Sequence, residues 1–224
     1  MNIEIIKNIK SYQQDLTDKT CLLIDVFNLT TTIPLLLSNN INKLYLSERS
    51  KNIDKKWLKK KNYLIISDKN FKNNIKNSPF DFMFDNFKSK NIILKIDNTI
   101  KLINKLHQAR EVYCGSYVNF SSLSNHLKKR NLDDLLIFPY SNKLQKKKTL
   151  ENYICANAYK KFLIQNKINK KKINFDLEKS FRNKIIKFKG NTKQKEMKLF
   201  ADFMISSSMN LTDLIPIIKF KKKY

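Results

Sequence analysis

The chain has 224 residues, of which 42% are hydrophobic, enough to bury a core, and its 45 basic against 19 acidic residues give a formal net charge of +26. That charge does not argue for a nucleic-acid partner, because Arg49, Arg110, Arg130 and Arg182 are the arginines and the lysines are spread along the chain among residues with A/T-rich codons. The absence of a bilayer-length apolar run and of a signal-peptide core points to a cytoplasmic protein without a membrane partner, and Gly115 and Gly190, as the glycines, leave no P-loop or GxGxxG turn.

In chain order, Asn2–Ile6 predicts an outer strand, and Cys21–Asp25 a buried central strand ending on a carboxylate. Thr31–Ser38 predicts the helix after it, with Pro34 in its first turn. Asn42–Leu46 reads as a strand, Ile53–Lys60 as a basic amphipathic helix anchored by Trp57, and Tyr63–Ile66 as a further buried strand. Ser78-Pro79 starts a helix, with Phe80, Phe82, Phe84 and Phe87 assigned to the core. Asn91–Ile96 and Glu111–Cys114 are strands followed by helices over Thr99–Leu106 and Asn119–Lys128, and Leu135–Phe138 is the next strand. After a polar loop over Tyr140–Lys148 comes a long helix, Thr149–Gln165, whose stripe is Leu150, Tyr153, Ile154, Ala158 and Phe162. Lys167–Lys172 reads as a solvated link, Phe175–Phe188 and Lys195–Phe203 as helices, and Leu214–Ile218 as a late strand. Apolar strands alternating with helices predict a layered α/β/α fold with a largely parallel or mixed sheet. Residues 1–224 form a single unit, with halves 1–115 and 116–224 sharing one cleft as the alternative division. Cys21, Cys114 and Cys155 lie in apolar settings and read as free thiols in a reducing compartment. His107 and His126 read as surface residues with no zinc-like spacing.

Polar residues recur just after the predicted strands: Asp25, Thr30 and Thr31; Asp68 and Lys69; Asn77 and Ser78; Asp97 and Asn98; Ser116 and Asn119. A parallel sheet would gather them along one edge, where loops lead into helix N-termini. Asp25 there could hold a cation, and the threonine hydroxyls an anion. Glu151, opening the long helix, could join them. The competing reading is that Asp25 is a helix cap and the rest are ordinary turn residues, since turns favour Asn, Asp and Ser.

The order of these segments resembles the 2-phosphosulfolactate phosphatase family. DVLRATTT of that family corresponds to Asp25–Ile33 (DVFNLTTTI), GER to Ser67-Asp68-Lys69, and GNSP to Lys76–Pro79. TTNGT is represented by Ile96–Thr99, GSFxN by Gly115–Asn119, LEDALCAGA by Leu150–Ala158, and the closing DVVPV by Thr212–Ile217. The departures are Asn28 in place of Arg, Asn74 near the place of an Asp, Lys69 in place of Arg, Asn152 in place of Asp, and a lost HGR segment. Arg to Asn removes a bidentate oxyanion clamp.

The resemblance implies a Mg²⁺-dependent phosphoric monoester hydrolase acting on a small phosphorylated, sulfonated acid. Asp25 and Glu151 would be the catalytic carboxylates and metal ligands. Thr30, Thr31 and Ser116 would donate to phosphate oxygens, Asn77, Asn98 and Asn119 would bind substrate oxygens beside Ser78, and Lys69 would supply positive charge. The rival expectation is a catalytically decayed relative kept to bind a metabolite or a protein. A nucleic-acid binder is the third. The oligomeric state is left open.

Overall fold

Five consecutive buried residues form the strand around which the molecule is built, β2 (Thr20–Ile24). A strand buried on both faces belongs in a parallel sheet covered by helices. A computed structural model of the chain describes residues 1–7, 12, 15–48, 63–67, 75–96, 98–141, 149–185 and 193–220. In it β2 lies between β8 (Asp134–Pro139) and β7 (Glu111–Gly115), with β1 (Asn2–Ile5) on the far side of β8, all pairing parallel in the order β1-β8-β2-β7. A second parallel sheet has the order β3-β6-β4-β5, from β3 (Lys43–Glu48), β4 (Tyr63–Ser67), β5 (Ile75–Lys76) and β6 (Asn91–Ile96). Its strands all fall between β2 and β7 in the chain, so the second sheet is nested inside the first.

The helices are α1 (Leu29–Ser38), α2 (Pro79–Phe82), α3 (Asn98–Lys105), α4 (Phe120–Lys129), α5 (Leu150–Gln165), α6 (Lys170–Ile185) and α7 (Lys193–Ser207). Alternation along β2 divides the core. Leu22 and Ile24 join Tyr113, Leu135 and Ile137 against α4, α5, α6 and α7. Cys21 and Leu23 join Val112, Cys114, Leu136 and Phe138 against α1, α3 and the inner side chains Ile66, Ile92 and Leu94 of the second sheet. The fold is thus layered α/β. All three cysteines are free and buried. Burial pushes the Cys21 and Cys114 thiols up to about 12, so neither is a nucleophile at neutral pH. Among the described residues no helix is long and apolar enough to cross a membrane.

Several elements depart from the sequence pattern. Phe82 and Phe87 are core, but Phe80 and Phe84 pack on each other at the surface, ring centroids 5.0 Å apart, with Phe84 74% exposed. A one-turn helix can turn one phenylalanine inward, and Phe84 lies beyond its end, in the turn that follows. On α5 Leu150 is 48% exposed, whereas Glu151, Asn152, Cys155, Ala156 and Tyr159 are buried. The inward face therefore opens with two polar residues that a count of apolar side chains assigns to solvent. α6 begins at Lys170, inside the expected link, where Asn169 accepts the Lys172 N–H at 3.0 Å as a cap. The late strand is an extended run held to β7 by one antiparallel bridge, Tyr113 to Ile217. Pro216, lacking an N–H, contributes only its carbonyl, to Cys114 N–H at 3.0 Å. The expected helix at Ile53–Lys60, together with Asp68, Lys69 and Asp97, lies outside the described residues.

Candidate active site

The parallel registers place Ile24 level with Pro139 and Gly115. The next residue on each strand, Asp25, Tyr140 and Ser116, therefore lines the carboxyl edge of the first sheet. The second sheet ends close by. Asn77 follows β5 and Thr99 lies in the first turn of α3 after β6. Both reach the turn between β2 and α1, so the carboxyl edges of the two sheets converge on one short segment, Asp25–Thr32.

Asp25 is 5% exposed, and its Oδ2 accepts the Thr99 hydroxyl at 2.7 Å. A charge-assisted bond of this kind, out of water, fixes the carboxylate rotamer. The backbone of Asp25 is held as well. Its N–H donates to Thr30 Oγ1 at 2.8 Å, and its carbonyl accepts the Thr30 N–H at 3.1 Å. Thr31 donates its hydroxyl to the Val26 carbonyl. Thr32 donates to Asn77 Oδ1 at 2.8 Å, and Asn77 Nδ2 donates to Asn28 Oδ1 at 2.9 Å.

α5 enters the same place from the other face. Asn152 Oδ1 accepts the Val26 N–H at 2.7 Å, and its Nδ2 donates to the Tyr140 carbonyl at 2.9 Å. The residue after Asp25 is thereby bonded to the residue after Glu151. Glu151 is 3% exposed, and its Oε2 accepts from Ser180 Oγ of α6 at 3.2 Å. Ser116 N–H donates to Asn119 Oδ1 at 3.1 Å, and Ser116 Oγ donates to the same oxygen at 3.4 Å, a long and weak bond. Asn119 Nδ2 spends its hydrogens on the Cys114 carbonyl at 3.0 Å and the Leu214 carbonyl at 3.3 Å. Tyr159 of α5 donates to the Ser116 carbonyl at 2.8 Å.

The expected residues thus fall into groups. Asp25, Thr30 and Thr31 belong to the β2–α1 segment and Asn77 reaches it, while Glu151 is the chain neighbour of Asn152, which bonds Val26, and its own carboxylate accepts from Ser180 of α6. Ser116 and Asn119 form their own turn at the end of β7. Ser78 is buried and turned toward α7, where it donates to Asp202 Oδ1 at 2.7 Å. Asn98 begins α3. The sequence pattern missed Thr99 and Asp202, and it named Asn152 as a departure from the family motif without giving it a place in the site. Thr99 and Asn152 sit inside the quoted segments, beside the residues singled out. Asp202 lies in a helix with no turn signal near it.

Asp25 and Glu151 are both buried carboxylates, and carboxylate oxygens are the kind of ligand Mg²⁺ takes. Among the described residues no group of three or more His, Cys, Asp or Glu side chains gathers to hold a metal. A cation here would take its remaining ligands from substrate and water, the usual habit of Mg²⁺.

Comparison with known proteins bears on the family. A Thermotoga maritima protein named probable 2-phosphosulfolactate phosphatase is 29% identical over 153 residues, 66% of this chain and 64% of that protein. A protein of the same name from Caldanaerobacter subterraneus subsp. tengcongensis is 25% identical over 135 residues, 55% of this chain and 54% of that protein. The chain thus spans less than two thirds of either relative's length. The family model described as 2-phosphosulpholactate phosphatase matches residues 6–221, which takes in every described element after β1, and the chain belongs to that family.

Proposed function

We propose that the chain is a Mg²⁺-dependent phosphatase that hydrolyses a small phosphorylated acid, 2-phosphosulfolactate, to sulfolactate and inorganic phosphate. The observation that carries this reading is the buried Asp25 carboxylate, held by Thr99 at the convergent ends of two parallel sheets and tied through Val26 and Asn152 to the turn that bears Glu151. Membership of the family supports it, since both named relatives carry that activity in their names.

Asp25 and Glu151 would hold Mg²⁺, which when bound supplies positive charge to the phosphoryl oxygens. Thr99 keeps the Asp25 carboxylate in one orientation, so no reorganisation is needed as charge develops. Glu151 is the acceptor for the proton of the attacking water. Thr30 Oγ1 is an acceptor to the Asp25 N–H, which leaves its own O–H to donate to a phosphate oxygen. Ser116 Oγ gives up only a 3.4 Å bond to do the same. Asn77 and Asn28 present amide hydrogens from the rim to the acid end of the substrate, and by the family resemblance Lys69 would supply positive charge and Asn98 would bind substrate oxygens.

A second reading has its own observation. The Thr31 hydroxyl, Asn119 and Ser78 all spend their donors within the protein. A site so satisfied internally suits a relative that binds a metabolite without turning it over. Phosphate release from 2-phosphosulfolactate, with and without Mg²⁺, separates the two. Turnover that needs Mg²⁺ and vanishes in Asp25→Asn supports the phosphatase. Binding of 2-phosphosulfolactate without phosphate release at any Mg²⁺ concentration overturns it in favour of the binding module.

A further inference from the structure

α7 comes from the last part of the chain and packs against α2 beside the candidate site. Asp202 on α7 accepts two bonds at Oδ1, from Ser78 Oγ at 2.7 Å and from the Phe80 N–H at 3.0 Å. One turn earlier Lys198 pairs with Asp81. α2 does not need this carboxylate for its cap. Ser78 already caps it by accepting the Asp81 N–H at 3.3 Å, and Pro79 fills the first position. What the carboxylate adds is a fixed direction for the Ser78 hydroxyl and a partner for the Phe80 N–H. The residue before Ser78 is Asn77, whose amide is clamped between Thr32 and Asn28.

We propose that Asp202 is a positioning residue of the site: acting through Ser78, it holds Asn77 against the β2–α1 turn and so sets the affinity for the acid end of the substrate. The kinetic part rests on the phosphatase reading, but the mechanical part does not. Burial raises the Asp202 carboxyl above the usual range and nearby Asp81 adds to this, while the bonds from Ser78 and Phe80 and the charge of Lys198 oppose it. The group therefore takes up its proton at a higher pH than an ordinary Asp and becomes a weaker acceptor. Asp81 and Lys198 are the charged groups that face it.

The test compares wild type with Asp202→Ala, Asp202→Asn, Ser78→Ala and the Ser78→Ala/Asp202→Ala double variant, each checked for native circular dichroism. With 2-phosphosulfolactate, Asp202→Ala raises KM about tenfold, the equivalent of one buried bond, and changes kcat far less. Asp202→Asn can still accept both bonds and restores KM near neutral pH. The double variant is no worse than the worse single one, because both act on one linkage. An unchanged KM in Asp202→Ala, no rescue in Asp202→Asn, or additive effects in the double variant would overturn the proposal. If wild type releases no phosphate, the phosphatase reading falls and the proposal is read by amide exchange. Faster exchange over residues 25–32 in Asp202→Ala, restored in Asp202→Asn, supports it, and unchanged exchange there overturns it.

Discussion

Asn152 joins the ends of two central strands, and the substitution Asn152→Asp probes that junction without changing its shape. Its orientation is fixed by its partners. The Val26 N–H at 2.7 Å must meet an oxygen, and the Tyr140 carbonyl at 2.9 Å must meet an N–H. Asn152→Asp installs the residue usual in the family motif, yet it exchanges a donor for an acceptor. The bond to Val26 survives. The bonds from Nδ2 to the Tyr140 carbonyl and, at 3.3 Å, to Thr149 Oγ1 are lost, and an anionic oxygen faces a carbonyl oxygen inside the protein. Losing these bonds and setting two acceptors against each other costs about 1–3 kcal/mol. Thr149 also donates to the Tyr140 carbonyl, which favours the lower half of that range. For a chain of this length each kcal/mol lowers Tm by about 2–4 °C. The sign with pH follows from linkage. The introduced carboxyl has its folded-state pKa raised by burial and by the carbonyl, so the folded state binds more protons than the unfolded one. The deficit against wild type is full at neutral pH and shrinks as pH falls through the raised folded pKa toward the ordinary carboxylate value. Urea unfolding followed by circular dichroism at neutral and mildly acidic pH measures both. Equal stability at neutral pH, or a deficit that grows in acid, would refute the assigned hydrogen-bond pattern.

Thr99→Val keeps the volume and removes the donor to Asp25. It should cost about 1.5–3 kcal/mol in urea unfolding and lower kcat, whereas Thr99→Ser should retain most of both. Gly115→Ala would bring a methyl group within 2.6 Å of Leu22 Cδ1 and 3.3 Å of Tyr159 Cζ. It should destabilise by about 1–3 kcal/mol, seen as a lower Tm, and a neutral result would mean the core at the end of β7 yields more readily than its packing suggests. Mg²⁺ with inorganic phosphate at about 100 times the dissociation constant should stabilise wild type by about 2.7 kcal/mol in a thermal shift assay. Asp25→Asn and Glu151→Gln should each lose that shift, and a shift kept in both would place the cation elsewhere.

The sequence reveals β2 and its neighbours because a strand buried on both faces must be written as an apolar run. It singles out Asp25 because a carboxylate ends that run, where a cation site and a helix cap would both place one. The nesting of one sheet inside the other is not legible, since each βα unit looks the same whichever sheet it joins. The inward face of α5 misleads for a different reason. Asn152 is polar and buried because it meets two strand ends, and Glu151 because it faces Ser180 of α6, and hydrophobic periodicity assigns such residues to solvent. Thr99 is hidden among ordinary first-turn residues until β6 sets it beside Asp25. Asp202 is invisible because its partner, Ser78, is 124 positions away.

The most direct test of a shared phosphate-ester site is a crystal of the protein soaked with inorganic phosphate and Mn²⁺, whose anomalous signal stands in for Mg²⁺. One cation bound by both Asp25 and Glu151, with phosphate oxygens completing its shell and the Thr30 and Ser116 hydroxyls on the same anion, is the predicted result. A cation on only one of those carboxylates, or phosphate bound away from the β2–α1 turn, would contradict it.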